Sequence, residues 1–510
     1  MRHKILSIIA ISATILFLRG NCFAQISGII TNDTTWADSV RLNGDVVIDT
    51  GATLSIQPGT RINVTTSGVW DTTLGISGKR DLIILGKAQI KGTETDSVFF
   101  NSLGTIRVKN NACDTIRYVK ISNATKGLWI DSADCNIRNV LITLSEKGIY
   151  ASYSSCNVGN SVISYCEKGI YTEGGYVYID SCSIQNQYRD WVDFVAGIYC
   201  VNTNVSLNGS IIDDIRANYC TTGGGAPVYG FYAIGGDSVA CVNTVIRNIK
   251  GGGFEYSYLS GVPGGSVIGF YRKKGLYTLI DSIDISQCLG GHGSCCDEYL
   301  PMAAGGQGGE ATGIFLDSTN VEMSNIIIDS CQGGDGGDVD PSGTACTGSG
   351  GYGGNGTGIR CRNTNGQLNT YSIQNIKGGA GGDATFPGYD GAARNFFFEN
   401  NSNITINGIE GQPEKVVCPS VQIIECSPNP FNYSTLFKYS LNEIQTINIS
   451  LYNAAGQHIK TLVKAQQNKG FHKIAWDGKN EKNQQVTSGM YFCRMQTPEK
   501  SSTVKVIFLK

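Results

Sequence analysis

Isoleucine returns at one phase along the middle of the chain: Ile142, Ile163, Ile184, Ile212, Ile246, Ile285, Ile328 and Ile373. Each sits in a short stretch of alternating apolar and polar residues, the period of a strand rather than a helix. Three residues on, a second column reads Ser145, Cys166, Gln187, Ile215, Ile249, Cys288, Cys331 and Ile376. A third marker follows, a glycine before an apolar and an aromatic residue: Gly148-Ile149-Tyr150, Gly169-Ile170-Tyr171, Gly197-Ile198-Tyr199, Gly230-Phe231-Tyr232, Gly269-Phe270-Tyr271 and Gly313-Ile314-Phe315. Gly358-Ile359-Arg360 is a weaker copy. The isoleucines are 21, 21, 28, 34, 39, 43 and 45 residues apart. A unit of 21 residues is too short for a strand plus a full helix. It suffices for one coil of a solenoid of short strands, each stacked about 4.8 Å above its equivalent.

The pattern therefore predicts that these isoleucines form one interior file. Cys166, Cys288 and Cys331, standing where other coils carry isoleucine, read as small buried hydrophobes, with disulfide pairing as the alternative. The interval grows by insertion between the second column and the glycine–aromatic marker. Insertions at one phase emerge on one side, so they should pile into a lateral wall. Their content is glycine-rich: Gly290-Gly291-His292-Gly293, Gly305-Gly306-Gln307-Gly308-Gly309, Gly333-Gly334-Asp335-Gly336-Gly337-Asp338, Gly350-Gly351-Tyr352-Gly353-Gly354 and Gly378-Gly379-Ala380-Gly381-Gly382-Asp383. Long loops in an otherwise economical repeat are functional or disordered. Earlier segments, such as Val46-Val47-Ile48 and Leu82-Ile83-Ile84-Leu85-Gly86, follow the same logic less regularly. Over residues 36–410 the chain resembles pectate-lyase-like parallel β-helix proteins. That resemblance and the crossover rule imply right-handed coiling, and the body should be a rod of about a dozen coils, roughly 50–60 Å long at strand spacing.

Carbohydrate-cleaving β-helices direct attention to paired carboxylates. Asp213-Asp214 is the obvious dyad and His292 lies in a Gly-His-Gly, a loose resemblance to polygalacturonase-type glycoside hydrolases. Repeat position accounts for both elements. Asp213 and Asp214 align with Arg247 and Asn248, or with Asp329 and Ser330, and the glycines around His292 recur at the same phase in later coils. Asp335, Asp338 and Asp340 are candidate Ca²⁺ ligands, with solvated loop aspartates as the plainer reading. Cys295-Cys296 near His292 hints at zinc without the usual ligand spacing, and a loop disulfide with Cys346 is an alternative. No cofactor is otherwise expected. Tyr352, Phe386 and Tyr389 are candidates to stack on sugar rings or to anchor loops.

Near residue 413 the glycine repeats stop and Pro413, Pro419, Pro428 and Pro430 mark a change. Alternation then resumes at Ile447, Ile449 and Leu451, at Ile474 and Trp476, and at Val504, Val506 and Phe508, predicting a sandwich. The motifs Ser427-Pro428-Asn429-Pro430-Phe431-Asn432, Leu451-Tyr452-Asn453-Ala454-Ala455-Gly456-Gln457, Trp476-Asp477-Gly478-Lys479-Asn480, Ser488-Gly489-Met490-Tyr491 and Leu509-Lys510 stand in order. In them the segment resembles the type IX secretion C-terminal sorting domain, an immunoglobulin-like fold related to the flagellar-hook-cap type. The resemblance implies recognition of residues 427–510 by an outer-membrane translocon, then removal of the domain by a sortase and attachment of the body to surface lipopolysaccharide.

The N-terminus fits export. Arg2, His3 and Lys4, then apolar Ile5 to Leu18, then Cys22-Phe23-Ala24 form a secretory signal peptide over 1–24, with lipidation at Cys22 as the alternative. No later stretch is long and apolar enough to span a membrane. Charged residues make up 16% of the chain and the net charge is −2, which excludes the basic excess of a broad nucleic-acid footprint. The expected organisation is all-β: a right-handed parallel β-helix over 25–412, a linker over 413–426 and an Ig-like β-sandwich over 427–510. The functional expectation is an exported cell-surface adhesin or glycan-binding protein, meeting extracellular glycans or neighbouring cell surfaces. A polysaccharide lyase or glycoside hydrolase is the alternative.

Overall fold

The computed structural model describes residues 24–510 apart from 65–79, 102, 110–114, 190–192, 218–223, 254–255, 258–260, 297–303, 340–348, 385, 408–421, 428–430, 433, 442–444, 454–455, 468–469, 499–500 and 510. Residues 1–23 of the signal-peptide segment, the 413–420 prolines and Asp340 thus lie outside the described residues. The chain divides into two compact units, 1–411 and 412–510.

The first unit is a parallel β-helix. Its main ladder pairs Ala24, Val40, Ile62, Phe100 and Ile121 with Ile142, then joins the eight isoleucines in unbroken parallel register to Ile373. These positions from Val40 onward are buried, so one apolar side chain per coil stacks on its equivalent above. Truncating one of them to alanine would open a void, at a cost of about 2–5 kcal/mol. A second interior ladder runs through Ile149, Ile170, Ile198, Phe231, Phe270, Ile314 and Ile359 to Phe396, the apolar member of the glycine–aromatic marker. The marker glycines let neighbouring chain pass. A Cβ on Gly148 would meet the Ile163 Cγ2 at 2.4 Å and the Gly169 carbonyl oxygen at 2.5 Å.

Cys166, Cys288 and Cys331 are buried free thiols, and no disulfide occurs among the described residues. Burial alone pushes the Cys166 thiol up to about 12, so it behaves as a hydrophobe. Gln187, the polar member of its column, is fully buried with both ends satisfied. Its Oε1 accepts from the Cys166 amide at 2.6 Å, and its Nε2 donates to the carbonyls of Ile163 (2.8 Å) and Gln185 (3.0 Å).

Single residues of positive φ turn the chain between faces. One such column, Asn123, Leu144, Tyr165, Asn186, Asp214, Asn248, Gln287, Ser330 and Asn375, has φ between 54° and 61°. Left-handed backbone costs a non-glycine residue about 1–2 kcal/mol, and Asn and Asp tolerate it best. This explains the recurrent Asx at a corner that admits no extra residue.

The glycine inserts form an ordered two-layered wall. In the outgoing layer, parallel segments bond sideways: Gly290 to Gln332, Gly293 to Asp335, Gly333 to Lys377 and Gly336 to Ala380, amide to carbonyl. In the returning layer Gly264 donates to Gln307, Gly308 to Tyr352 and Gly353 to Tyr389. A third set joins the layers: Gly265 donates to Gly252, Gly291 to Gly265, Gly309 to Gly291, Gly334 to Gly309, Gly354 to Gly334 and Gly379 to Gly354, at 2.6–2.9 Å. The three-residue period with all hydrogen bonds going to neighbours is that of packed polyproline-II chains. Two of every three residues face a neighbouring backbone and are mostly glycine, with Ser294 and Val262 as buried exceptions; the third points outward.

The second unit packs a three-stranded antiparallel sheet (Gln422–Ser427, Thr435–Leu441, Gly470–Trp476) with a four-stranded one (His458–Gln467, Gln445–Asn453, Gly489–Gln496, Ser501–Phe508) around one apolar core. Trp476 is buried against Phe431 and Tyr491, and its Nε1 donates to the Lys479 carbonyl at 2.9 Å. Tyr491 donates its hydroxyl to the Thr487 carbonyl at 2.7 Å. Asp477 takes the Lys479 amide at 3.2 Å and the Lys460 ammonium at 3.4 Å. Gly456 and Gly478 have φ of 77° and 69°. Gly489 starts the strand that holds Tyr491. Pro428, Asn429, Pro430 and Lys510 lie outside the described residues.

Candidate functional site

A groove of about 1490 Å³ runs along the stack where the outgoing layer of the wall meets the corner column. One side carries Tyr165, Asn186, Tyr188, Asp214, Arg216 and Lys250. The other carries the outward third residues of the glycine segments: His292 and Cys295, Asp335 and Asp338, Ala380 and Asp383. Its lining spans seven coils, from the one holding Tyr165 to the one holding Asp383, about 30 Å at strand spacing. Register explains the first side. Tyr188, Arg216, Lys250 and Leu289 are successive partners at the end of one strand face, where the chain leaves the solenoid.

Candidates far apart in sequence thus meet here, since Asp214, His292, Asp335 and Asp338 all line the groove. His292 Nδ1 lies 3.4 Å from Asp335 Oδ2, with both side chains substantially exposed. Asp335 Oδ1 accepts from the Ala380 amide at 2.8 Å, and Asp338 Oδ1 from the Asp383 amide at 2.9 Å. Each aspartate therefore fastens its glycine segment to the next. Among the described residues no group of three potential metal ligands converges. Cys295 is free and partly buried beside the groove, while the Cys296 side chain and Cys346 lie outside the described residues.

The adjacent carboxylates Asp213 and Asp214 do not face one another as a dyad. Asp213 accepts from Arg247 (Nη2, 2.8 Å) and from Asn248 Nδ2 at 2.6 Å in the next coil. Asp214, at the corner, takes both Nε and Nη2 of Arg216 at 2.5 Å. These hydrogen bonds raise the Arg216 guanidinium above its ordinary range. Both carboxylates are held as ion-pair partners.

Tyr165 and Tyr188 went unnoticed in the sequence. They are 53% and 42% exposed, and stand in successive coils facing the wall. For Tyr165 the signal was an aromatic at the corner position, where five of the other coils hold Asx; Tyr188 stands two residues past its own corner residue, Asn186. Asp284 and Asp329 were also missed as a pair. They lie on adjacent coils, where Asp284 opposes Ile327 and Asp329 follows two residues on. Burial first, and then Asp329, raises the Asp284 carboxyl above its usual range. Asp329 instead accepts from Asn375 Nδ2 at 2.7 Å and from Ser330 Oγ at 3.0 Å. Tyr352 and Tyr389 stack at 5.8 Å on the returning layer, and Phe386 is 66% exposed.

The FlgD Ig-like domain family matches residues 435–501, within the second unit. No curated protein sequence matches the chain. Among solved structures, tailspike protein 4 of bacteriophage CBA120, described as an enzymatically active domain, aligns over 91% of this chain and 63% of its own, at 10% identity and TM-score 0.25. The tailspike of E. coli bacteriophage HK620, solved with a hexasaccharide, aligns over 93% of this chain and 86% of its own, at 9% identity and TM-score 0.23. PorZ of Porphyromonas gingivalis, a bacterial surface component of the type IX secretion system, aligns over 20% of this chain, at 15% identity and TM-score 0.14. The alignments span 13% of PorZ and 63% of the CBA120 protein, less than two thirds of either. At TM-scores of 0.25 and below these likenesses are partial, and the parallel β-helix and the small antiparallel unit rest on the strand pairing of this chain itself.

Proposed function

We propose that the protein is exported and held at the cell surface through its C-terminal unit, and that its β-helix binds an extended glycan in the groove. The export reading rests on the signal-peptide pattern and the ordered motifs of residues 427–510, recognised by a type IX translocon and sortase. The groove reading rests above all on Tyr165 and Tyr188, exposed on successive coils toward one end of a groove that carries His292 and Asp335 further along. Exposed aromatic faces beside hydrogen-bonding side chains suit pyranose rings, and a slot crossing seven coils suits a polymer more than a monosaccharide. The full chain on a glycan array should select linear oligosaccharides, and Tyr165→Ala/Tyr188→Ala should lose them. Undiminished binding by that variant would remove the groove from consideration.

Cleavage of the glycan is the second reading, and the Asp284–Asp329 pair is what favours it. A carboxyl raised above its usual range by burial, beside a second one that accepts two hydrogen bonds, is the contrast of environments from which a glycosidase draws its acid and its partner. Reducing-sugar release on a polysaccharide panel, abolished by Asp284→Asn, would establish it. Release that survives that substitution would discard the pair.

A further inference from the structure

On the other strand face the outward residue after the second interior ladder is aromatic in coil after coil. This file runs from Trp129 through Tyr150, Tyr171, Tyr199 and Tyr232 to Tyr271 and Phe315, in continuous parallel register. Successive ring centroids are 4.8–5.3 Å apart. The returning layer of the wall borders it, since Glu310 reaches Arg360, the next residue of the file, at 3.1 Å. The file and the groove therefore lie on opposite sides of the wall.

Before the wall begins, a second file stands beside the rings. Lys126, Lys147 and Lys168 are in-register partners, each directly preceding a marker glycine. Lys168 is buried and ion-paired with Glu167 at 2.5 Å. Lys126 and Lys147 are different: among the described residues no carboxylate lies within ion-pair distance of either ammonium. The Lys126 Nζ is 3.8 Å from the Trp129 centroid and 5.1 Å from that of Tyr150; the Lys147 Nζ is 4.7 Å from Tyr150 and 4.1 Å from Tyr171. Like charges directly opposite on neighbouring strands repel, and both groups are half-buried. Burial first, then the neighbouring cations Arg107 and Lys126 respectively, lower the two ammonium groups from their usual range. The ring faces offset part of this through cation–π attraction, and Asp81, Asp131, Glu146 and Glu167 act only at longer range.

We propose that the Lys126–Lys147 step is a second binding site, for a linear anionic polysaccharide carrying one acidic group per sugar residue. The ammonium groups repeat at strand spacing, about 4.8 Å, close to the length of one pyranose unit in an extended chain. Each anionic group of such a polymer meets one ammonium and removes the repulsion between neighbours. The ring faces are already covered by each other and by the lysines, so they are closed to stacking nucleobases. A single-stranded nucleic acid, which binds by such stacking, is the less suitable polyanion.

The test uses the full chain with alginate, dextran sulfate, neutral dextran and single-stranded DNA, by titration calorimetry at several salt concentrations. Alginate should bind in a salt-sensitive way, and Lys126→Gln/Lys147→Gln should weaken it about tenfold, the effect of losing about one charge-assisted contact. Lys126→Arg/Lys147→Arg should retain binding. Comparable lysine-dependent binding of dextran sulfate extends the site to sulfated glycans; its absence restricts it to uronates. The proposal fails if the double glutamine variant binds alginate as the parent does, whether its Tm falls (the lysines then merely brace the ring stack) or holds. It fails also if single-stranded DNA binds as tightly as alginate with the same lysine dependence, or if neutral dextran does.

Discussion

His292 and Asp335 face one another at 3.4 Å, on successive rows of the glycine wall, 43 positions apart in the chain. Both occupy the outward third position of their segments, and Asp335 also holds the next row through the Ala380 amide. Exposed pairs of this kind contribute about 0–1 kcal/mol. His292→Ala should therefore leave Tm within a degree or two of the parent while weakening glycan retention in the groove, measured by affinity electrophoresis. A large fall in Tm with unchanged retention would make the pair a structural fastener only.

The wall divides its positions sharply. A Cβ on Gly334 would lie 1.9 Å from the Gly291 carbonyl oxygen, and one on Gly291 1.8 Å from that of Gly252. Backbone cannot yield there without breaking hydrogen bonds in both layers. Gly334→Ala should destabilise the wall by about 3 kcal/mol or more, whereas Asp335→Ala, one residue along, should cost about 1 kcal/mol through the lost hydrogen bond to Ala380. Hydrogen exchange of the 290–295 and 333–339 amides reads both; equal protection loss in the two variants would contradict the three-residue rule.

The solenoid was legible because its interior file demands one residue class at one phase: Ile163, Ile212, Ile285 and Ile373 pair in the order the spacing implied. The wall was legible only as a place. Glycine content signals permissive backbone and equally signals close packing, and the difference lies in partners tens of residues away, such as Gly309 donating to Gly291. The groove was harder still. Asp214 and His292 were visible as residue types, but the ion pair that engages Asp214 comes from Arg216, and the corner that exposes Tyr165 is a backbone property. The Asp284–Asp329 pair depends on burial, which alternation within one strand does not reveal.

Asp81 should make stability fall as pH rises through the weakly acidic range. Burial, then Asp45, raises its carboxyl from the ordinary 3.8 to about 6, and its Oδ1 is buried without a hydrogen-bond partner among the described residues. Between these values the folded state holds a proton that the unfolded state has released, so stability declines from about pH 4 to about pH 6 and levels off above. The full span is up to about 3 kcal/mol. Asp81→Asn should flatten that limb and stabilise the protein at pH 7, measured by urea unfolding from pH 4 to 8. A parent curve that rises over this window would show the carboxyl to be ionised when folded.

Arg272 and Gly275 should be energetically coupled. Arg272 points into the solenoid core between Ala233 and Leu316, fully buried. Its Nη1 and Nη2 donate to the carbonyls of Gly235 and Gly236, the latter at 2.9 Å, while Nε has no partner among the described residues. Burial lowers the guanidinium to about 10, so it remains charged at neutral pH. A Cβ on Gly275 would sit 1.9 Å from Nη2, an atom held by its hydrogen bond to the Gly236 carbonyl. Gly275→Ala alone should cost about 2–3 kcal/mol. Arg272→Met leaves two glycine carbonyls to water or strain, yet exchanges a buried charge for an apolar chain of fitting length, a change whose net effect is small in buried sites. In that background Gly275→Ala meets a flexible thioether instead of a pinned cation, and its cost should drop by about 1–2 kcal/mol, a coupling that a double-mutant cycle in urea resolves. Additive costs would mean that the guanidinium moves freely and that the Gly235–Gly236 turn is held by its backbone alone.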